Sequence, residues 1–281
     1  MPNSKYMKQL LSSFIGICCL CFAAQAQKFT LANVHSHNDY EQKIPFDLAF
    51  RNQLGSIEAD IHLVAGKILV GHDAKDLLPS RNLENMYLSP LLASNSPNRK
   101  LQFLIDVKTE AISTLDSLIA LLKKYPTLIN NKNITITISG NTPADSLFIQ
   151  YPNFIHFDGR IFKNYTTAQL SKISLISEDY GKFTMWKKTW PMQVAEEEKI
   201  NAAIEKIHAL NKPIRLWGTP DFPLAWEKFI EMKIDFINTE LTTIKEATIG
   251  PGSPLAVVFM NTKNLELLFL NKTMVVIERT A

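Results

Sequence analysis

Residues 56–63 read SIEADIHL and residues 101–108 read LQFLIDVK, two short apolar runs that each carry carboxylates. Runs of this length, rich in Ile, Val and Phe, are typical of buried strands. Six further runs have the same character, and segments with helical spacing or loop composition separate them, so strands and helices alternate. The predicted strands are 30–36, 56–63, 101–108, 133–139, 153–157, 172–176, 213–217 and 234–238.

The segments between the strands carry apolar residues three and four positions apart, which gives each a stripe to bury against a sheet. Eight strands with helical crossovers in about 220 residues favour a TIM (β/α)8 barrel. An open doubly wound sheet is the alternative, although no G-x-G-x-x-G motif follows any strand. The predicted helices are 45–53, 111–124, 144–150, 166–171, 194–211 and 221–232.

The N-terminal 26 residues have the features of a secretory signal peptide. Two lysines precede the apolar run LLSSFIGICCLCFAA, which is shorter than the ~20 residues of a membrane span, and Ala24-Gln25-Ala26 offers a cleavage site. An uncleaved anchor is the alternative. We therefore predict a secreted or periplasmic protein without a stable membrane anchor after cleavage, a barrel domain over 27–248 and a C-terminal tail of unknown role over 249–281.

The composition excludes several classes of protein. The chain has 281 residues, of which 46% are hydrophobic and 20% charged, as in globular domains. Its net charge of +3 includes two lysines of the predicted signal peptide, and no Lys/Arg cluster indicates a nucleic-acid partner. All three cysteines lie in the predicted signal peptide, so the predicted barrel has no disulfide and no thiolate site.

Carboxylates on two successive predicted strands indicate a cation site. Glu58 and Asp60 are two positions apart and share one face of their strand, and His62 on that face is a further candidate ligand. Two adjacent buried anions are costly unless a cation neutralises them. Asp106 on the next strand adds a third carboxylate, and Lys108 adds a cation for an anionic substrate. Oxygen ligands favour Mg²⁺ or Ca²⁺ over Zn²⁺.

Four motifs together carry a family resemblance: HSHNDY at 35–40, GSIEADI at 55–61, GHD at 71–73 and LIDVK at 104–108. They resemble the phospholipase-C-like phosphodiesterase superfamily, which includes glycerophosphodiester phosphodiesterases and spider-type sphingomyelinase D. Within it, the sequence is similar to the family called altered inheritance of mitochondria protein 6. The resemblance covers roughly residues 33–246.

The resemblance implies a TIM barrel that binds one divalent cation at its mouth and acts as a phosphoric diester hydrolase or phosphodiester lyase, on a glycerophosphodiester-like or lipid-derived diester. Two histidines would transfer protons. One is His72, and the other is His35 or His37, of which the spacing to Glu58 favours His37. The cation ligands implied are Glu58, Asp60 and Asp106, with Lys108 as a catalytic cation.

The sequence differs from the glycerophosphodiesterase pattern in two places, which argues against a glycerol-phosphodiester substrate. Ser36 stands where that pattern has an arginine, and residues 44–47 read IPFD where it has PENT. Arg215, Trp217 and Asn238, at the ends of the last two predicted strands, are candidate substrate contacts. Two other functions stay open. One is a barrel that binds phosphorylated or sugar ligands without turnover, and the other is a zinc hydrolase of the amidohydrolase type that uses His35 and His37.

Overall fold

A computed structural model describes residues 29–94, 98–184 and 192–240, together with strand segments in 243–247, 255–261 and 265–279. The predicted signal peptide over 1–26 lies outside the described residues. The predicted boundary between barrel and tail near residue 248 also falls on residues outside this description. Both stay predictions.

Eight parallel strands form a nearly closed barrel, which confirms the predicted TIM fold over the open doubly wound sheet. The strands follow one another around the barrel in chain order, and a parallel bridge from Arg215 to Phe236 links the last two. The barrel strands are β1 (Val34–Ser36), β2 (Ser56–Val64), β4 (Leu101–Val107), β5 (Ile134–Gly140), β6 (Ile155–Arg160), β7 (Ile173–Asp179), β8 (Ile214–Trp217) and β9 (Ile237–Thr239).

Helices cover the outside of the barrel at the predicted places, except that Asp145–Gln150 is a 3₁₀-helix, a form common in short pieces. In the helix Ala111–Leu122, four apolar residues of the predicted stripe are buried, Leu115, Leu118, Ile119 and Leu122, whereas Ile112 of that stripe is exposed. The α-helices are α1 (Asp47–Arg51), α2 (Ser89–Ala93), α3 (Ala111–Leu122), α4 (Pro126–Ile129), α5 (Thr167–Lys172), α6 (Val194–Ala209) and α7 (Pro223–Glu231). Short 3₁₀ turns lie at Leu31–Asn33, Asp39–Glu41, Ala74–Asp76 and Tyr180–Lys182, and a π-helical turn at Glu84–Leu88.

A hairpin that the sequence analysis missed brings a histidine to the barrel mouth. Strand β3 (Lys67–Val70) pairs antiparallel with the end of β2. Ala65 and Gly66 form the turn with φ of 48° and 76°, the left-handed conformation that two-residue hairpin loops require. The chain then returns to β2, where Gly71 N–H donates to the Asp60 carbonyl over 3.2 Å, and His72 follows directly.

Alternation along β2 separates the core from the site. Ile57, Ala59 and Ile61 are fully buried and apolar, whereas Glu58 and Asp60 occupy the opposite, axial face of the strand. The tail adds a second, three-stranded sheet in the order β10 (Thr243–Ala247), β12 (Leu265–Arg279), β11 (Leu255–Asn261). Within the described part of the chain, none of the helices has the length and apolar character needed to cross a membrane.

Candidate active site

A cavity of about 490 Å³ opens at the carboxyl ends of the barrel strands, the end at which TIM barrels carry their active sites. Its walls come from six strands and the loops that follow them. Several predicted site residues line it together with residues that the sequence analysis did not select. The lining residues are His37, Asn38, Glu58, His72, Asp106, Val107, Lys108, Ser139, Gly140, Asn141, Arg160, Arg215, Trp217 and Gly218.

The three predicted acidic ligands converge at one side of this cavity. Glu58, Asp60 and Asp106 each offer a carboxylate oxygen, and these oxygens lie within 4.8 Å of one another. The register of the parallel pair β2 and β4 places Asp60 beside Asp106. Lys108 Nζ lies 2.9 Å from Asp60 Oδ2 and 3.3 Å from Asp106 Oδ1. The expected strand-end cluster of three carboxylates and one ammonium is therefore present.

The cluster has the donor set and the unused acceptors that a divalent cation would need. Asp60 Oδ1 and Asp106 Oδ1 are buried and accept no hydrogen bond from the described residues, although Lys108 lies at ion-pair distance from the second. Burial raises the pKa of Asp106 to about 6, against the opposing effect of Lys108. The Lys108 ammonium and the Arg215 guanidinium, which pairs with Glu58, do not balance three carboxylates, and an all-oxygen set suits Mg²⁺ or Ca²⁺. The residues present therefore fit a divalent ion.

The backbone beside the cluster is shaped to leave this space open. Gly140 ends β5 with φ of 70°, and a Cβ atom at this position would lie 2.1 Å from Asp106 Oδ1. Only glycine leaves the Asp106 carboxylate in place in this conformation.

The two histidines of the HSH motif have different environments. His35 is fully buried, and its ring is part of a hydrogen-bond chain in which Gln102 donates to Ser56 Oγ (3.0 Å), Ser56 contacts His35 Nδ1 (2.7 Å) and His35 Nε2 contacts Glu58 Oε2 (2.6 Å). Burial, and then the charge of Arg215, lower the pKa of His35 to about 3. A neutral, enclosed imidazole of this kind positions Glu58.

His37, in contrast, lines the cavity with 27% of its side chain exposed. Its Nε2 lies 3.9 Å from Glu58 Oε1, and its Nδ1 lies 3.5 Å from Glu240 Oε1. Although burial alone would lower it, these two carboxylates raise the pKa of His37 above its ordinary value. Of the two candidates, His37 is the one with access to a ligand in the cavity.

His72 contacts a different carboxylate of the acidic cluster from His37. Its Nδ1 lies 3.0 Å from Asp60 Oδ2, its side chain is 55% exposed, and this contact leaves Nε2 for a ligand. His62 Nε2 lies 3.1 Å from the carbonyl oxygens of both Gly71 and His72, so it holds the loop that carries His72. His62 is therefore not a fourth ligand, because its ring is turned toward these carbonyls.

Tyr40 is a site residue that the sequence analysis missed. Its phenol is buried and donates to Asp60 Oδ2 over 2.8 Å, with His72 Nδ1 3.3 Å away. A 3₁₀ turn directly after Asn38, which adopts a left-handed φ of 48°, places the ring there. The tyrosine that ends the HSHNDY motif is Tyr40 itself, so the motif could have indicated this residue.

The three candidate substrate contacts differ in how far they reach the cavity. Trp217 is half-buried and lines it. Arg215 is 3% exposed at its floor, and its Nη1 donates to Glu58 Oε2 (2.9 Å) and Asn238 Oδ1 (3.3 Å) and contacts His35 Nε2. Asn238 lies behind Arg215 and is not one of the lining residues. Arg215 therefore holds Glu58, and Asn238 holds Arg215.

The other side of the cavity carries a second polar group, which spacing along the sequence did not indicate. Asp158 is buried, and its Oδ2 accepts from Ser139 Oγ (3.0 Å), Ser177 Oγ (2.5 Å) and Arg160 Nη1 (2.8 Å). These four residues lie on β5, β6 and β7, and only Arg160 and Ser139 line the cavity. We call Ser139, Asp158, Arg160 and Ser177 the arginine group.

The chain is similar to known proteins of one family. Residues 25–95 match the family model described as AIM6-like phosphodiesterase domain. Altered inheritance of mitochondria protein 6 of Eremothecium gossypii is 23% identical over 85% of this chain and 78% of its own length. The resemblance to this family is confirmed. A homologue of the same protein in Arthroderma benhamiae is 26% identical over 68% of this chain and 74% of its own length.

Among solved structures, a glycerophosphodiester phosphodiesterase from Parabacteroides distasonis aligns with a TM-score of 0.49 and 15% identity, over 75% of this chain and 93% of that one.

The relatives correct one prediction made from the sequence. The predicted secreted or periplasmic location is wrong, because the AIM6 relatives are named for the inheritance of mitochondria, which are organelles inside the cell.

Proposed function

We propose that this protein is a metal-dependent phosphoric diester hydrolase, or phosphodiester lyase, that acts on a glycerophosphodiester-like or lipid-derived diester. The family match supports a phosphodiesterase-type function. The observation that carries the finer proposal is the convergence of the Glu58, Asp60 and Asp106 carboxylates, Lys108 and two accessible imidazoles at one cavity.

Glu58, Asp60 and Asp106 would hold one Mg²⁺ or Ca²⁺, with Zn²⁺ less favoured because no histidine belongs to the cluster among the described residues. When bound, the cation neutralises charge on the phosphate oxygens. Lys108 does the same with its ammonium, which Asp60 and Asp106 hold at the cavity wall. Burial alone would lower the pKa of Lys108, but these carboxylates raise it, so its charge is retained.

His37 and His72 divide the proton transfers. One imidazole takes the proton of the attacking oxygen, which belongs to water or to a hydroxyl of the substrate, as the new O–P bond forms. The other gives a proton to the leaving oxygen as its bond to phosphorus breaks. Asp60 holds His72 through Nδ1, which fixes the direction of Nε2. The buried His35, neutral around neutral pH, orients Glu58 instead of transferring protons.

The test is hydrolysis of bis(p-nitrophenyl) phosphate and of glycerophosphodiesters by the full-length protein, first with EDTA and then with Mg²⁺, Ca²⁺ or Zn²⁺ added back. We expect activity to disappear with EDTA and to return with Mg²⁺ or Ca²⁺. Restoration by Zn²⁺ alone would favour the zinc hydrolase. Folded protein that binds the cation and hydrolyses none of these diesters would favour a ligand-binding barrel and count against the proposal.

A further inference from the structure

A second cavity, of about 510 Å³, lies on the outside of the barrel and shares no lining residue with the cavity at the mouth. One of its walls is a face of helix α3. The residues of that face lie at positions i, i+3, i+4 and i+7, so they follow the helix for two turns, or about 10 Å. They are Ser117, Ala120, Leu121 and Lys124. We call this cavity the α3 groove.

The opposite wall of the α3 groove is made by the β2–β3 hairpin and the segment that follows it. The lining residues of the strand and of that segment are Lys67, Ile68, Pro79, Asn82 and Glu84. Ile68 is buried, and Leu121 on the facing helix packs against the hydrophobic core. The groove therefore offers an apolar surface as well as polar groups to a ligand.

The polar groups of the α3 groove favour an anion. Lys67 and Lys124 are exposed, and within the described chain neither forms an ion pair. Glu84 carries the single carboxylate among the lining residues, and its Oε1 already accepts from the Tyr125 hydroxyl over 3.0 Å. Asn82 Oδ1 accepts a backbone hydrogen bond (2.9 Å), so its NH₂ group remains as a donor. Two ammonium groups and one carboxylate leave one positive charge, which a monoanion such as a carboxylate neutralises.

The hairpin wall of the groove is connected to the active site through the backbone. Ile68 precedes His72 by four residues along the strand and the loop that follows it. Val70 N–H donates to the Arg81 carbonyl over 2.9 Å, and the Arg81 guanidinium donates to the carbonyl of Tyr40. A ligand in the groove therefore contacts the same short stretch of chain that positions His72 and Tyr40.

We propose that the α3 groove binds an amphipathic monoanion, such as a fatty acid, and that the bound anion stabilises the β3 wall beside His72. Lys67 and Lys124 hold the carboxylate of the ligand. Its apolar body packs on Ile68 and Leu121, where burial of apolar surface supplies most of the affinity. Binding in the groove does not require the reaction proposed at the mouth of the barrel.

The first test is a fluorescence titration of the full-length protein with 1-anilinonaphthalene-8-sulfonate, an anionic group on an apolar ring system. We expect one saturable site, from which decanoate displaces the probe while decanol and inorganic phosphate do not. Lys67→Gln and Lys124→Gln should each weaken binding of the probe and of decanoate about threefold, the value of an exposed ion pair. Ala120→Glu should weaken it further, because a carboxylate on the exposed helix face repels the anion.

A matched control separates the groove from the general charge of the helix. Lys123→Gln makes the same exchange at an exposed neighbouring position that does not line the groove, and it should leave the affinity unchanged. Equal affinity in the wild type, Lys67→Gln, Lys124→Gln and Ala120→Glu would overturn the proposal. Displacement of the probe by decanol as effective as that by decanoate would also overturn it.

Hydrogen–deuterium exchange measured by mass spectrometry tests the effect on the β3 wall. With decanoate at about ten times its Kd, exchange of the amides over 68–72 should slow by up to about tenfold, because a ligand that binds the closed form stabilises it. Unchanged exchange with decanoate bound would contradict this part of the proposal. Neither readout uses turnover, so the groove is supported or overturned whether or not the protein hydrolyses a diester.

Discussion

The two sides of the cavity differ in how closely they hold carboxylates together. On the β2–β4 side, three carboxylates offer oxygens within 4.8 Å of one another beside Lys108 and Arg215, and two of their buried oxygens accept no hydrogen bond from the described residues. In the arginine group, a single carboxylate accepts from two hydroxyls and one guanidinium through Oδ2, while its buried Oδ1 accepts no hydrogen bond from the described residues. Closely spaced carboxylates in a cleft are typical of functional sites, whereas a carboxylate held by several donors stabilises the fold. The contrast indicates that the chemistry takes place on the β2–β4 side.

Asp106→Asn removes one carboxylate from the β2–β4 side, and we expect its effect on activity to be the largest. The substitution removes a ligand charge with almost no change in shape, so diester hydrolysis should fall about 1,000-fold and affinity for the divalent cation should fall with it. Kinetics and calorimetric titration measure both. Asp116→Asn, the same exchange at an exposed position of α3, should change neither. Full activity in the Asp106→Asn variant would show that this carboxylate has no role in the active site.

His72→Ala separates proton transfer from cation binding on the same side. Loss of a general acid or base lowers kcat by about 100-fold or more, whereas the three carboxylates remain in place. Cation titration should therefore match the wild type while turnover falls. A variant with wild-type kcat would show that His72 transfers no proton in the reaction.

Asp158→Asn tests the arginine group through stability. Arg160 and the buried Arg215, whose Nη2 lies 4.0 Å from Asp158 Oδ2, would lose a carboxylate partner inside the barrel. Breaking a buried ion pair costs about 3 kcal/mol of the free energy of unfolding. Denaturant unfolding should show this loss, with Asp145→Asn, which breaks an exposed pair with Lys163, as the matched control. Equal stability of the two variants would contradict the structural role of Asp158.

Tyr40→Phe should have the smallest effect. It removes one hydrogen bond to Asp60, worth about 1 kcal/mol, and leaves the ring packing intact. Turnover should fall by about tenfold at most, because Lys108 and His72 still contact Asp60 Oδ2. A loss of turnover as large as that in His72→Ala would show that the phenol takes part directly in the reaction, contrary to this prediction.

The sequence predicts the acidic side of the cavity better than the other side for a physical reason. Alternation along β2 places Glu58 and Asp60 on one face, and parallel register places Asp106 beside them, so local pattern decides the cluster. The arginine group joins residues on three strands through side-chain hydrogen bonds, and no spacing in the chain reveals such contacts. Arg215 is similar, because the direction in which a long side chain extends depends on distant partners such as Glu58.

Tyr40 and the β2–β3 hairpin escaped prediction because both depend on left-handed backbone at non-glycine residues, Asn38 and Ala65. Such conformations are uncommon outside glycine and leave little trace in hydrophobic pattern.

Binding of a divalent cation to the full-length protein is the most direct measurement of the central claim. Titration of Mg²⁺ or Mn²⁺ into wild type, Glu58→Gln, Asp60→Asn and Asp106→Asn should give one ion per wild-type chain and at least about tenfold weaker binding in each variant. Diester hydrolysis should rise in parallel with occupancy of that site. Hydrolysis that persists in the fully chelated protein, or cation binding that all three substitutions leave unchanged, would contradict the account.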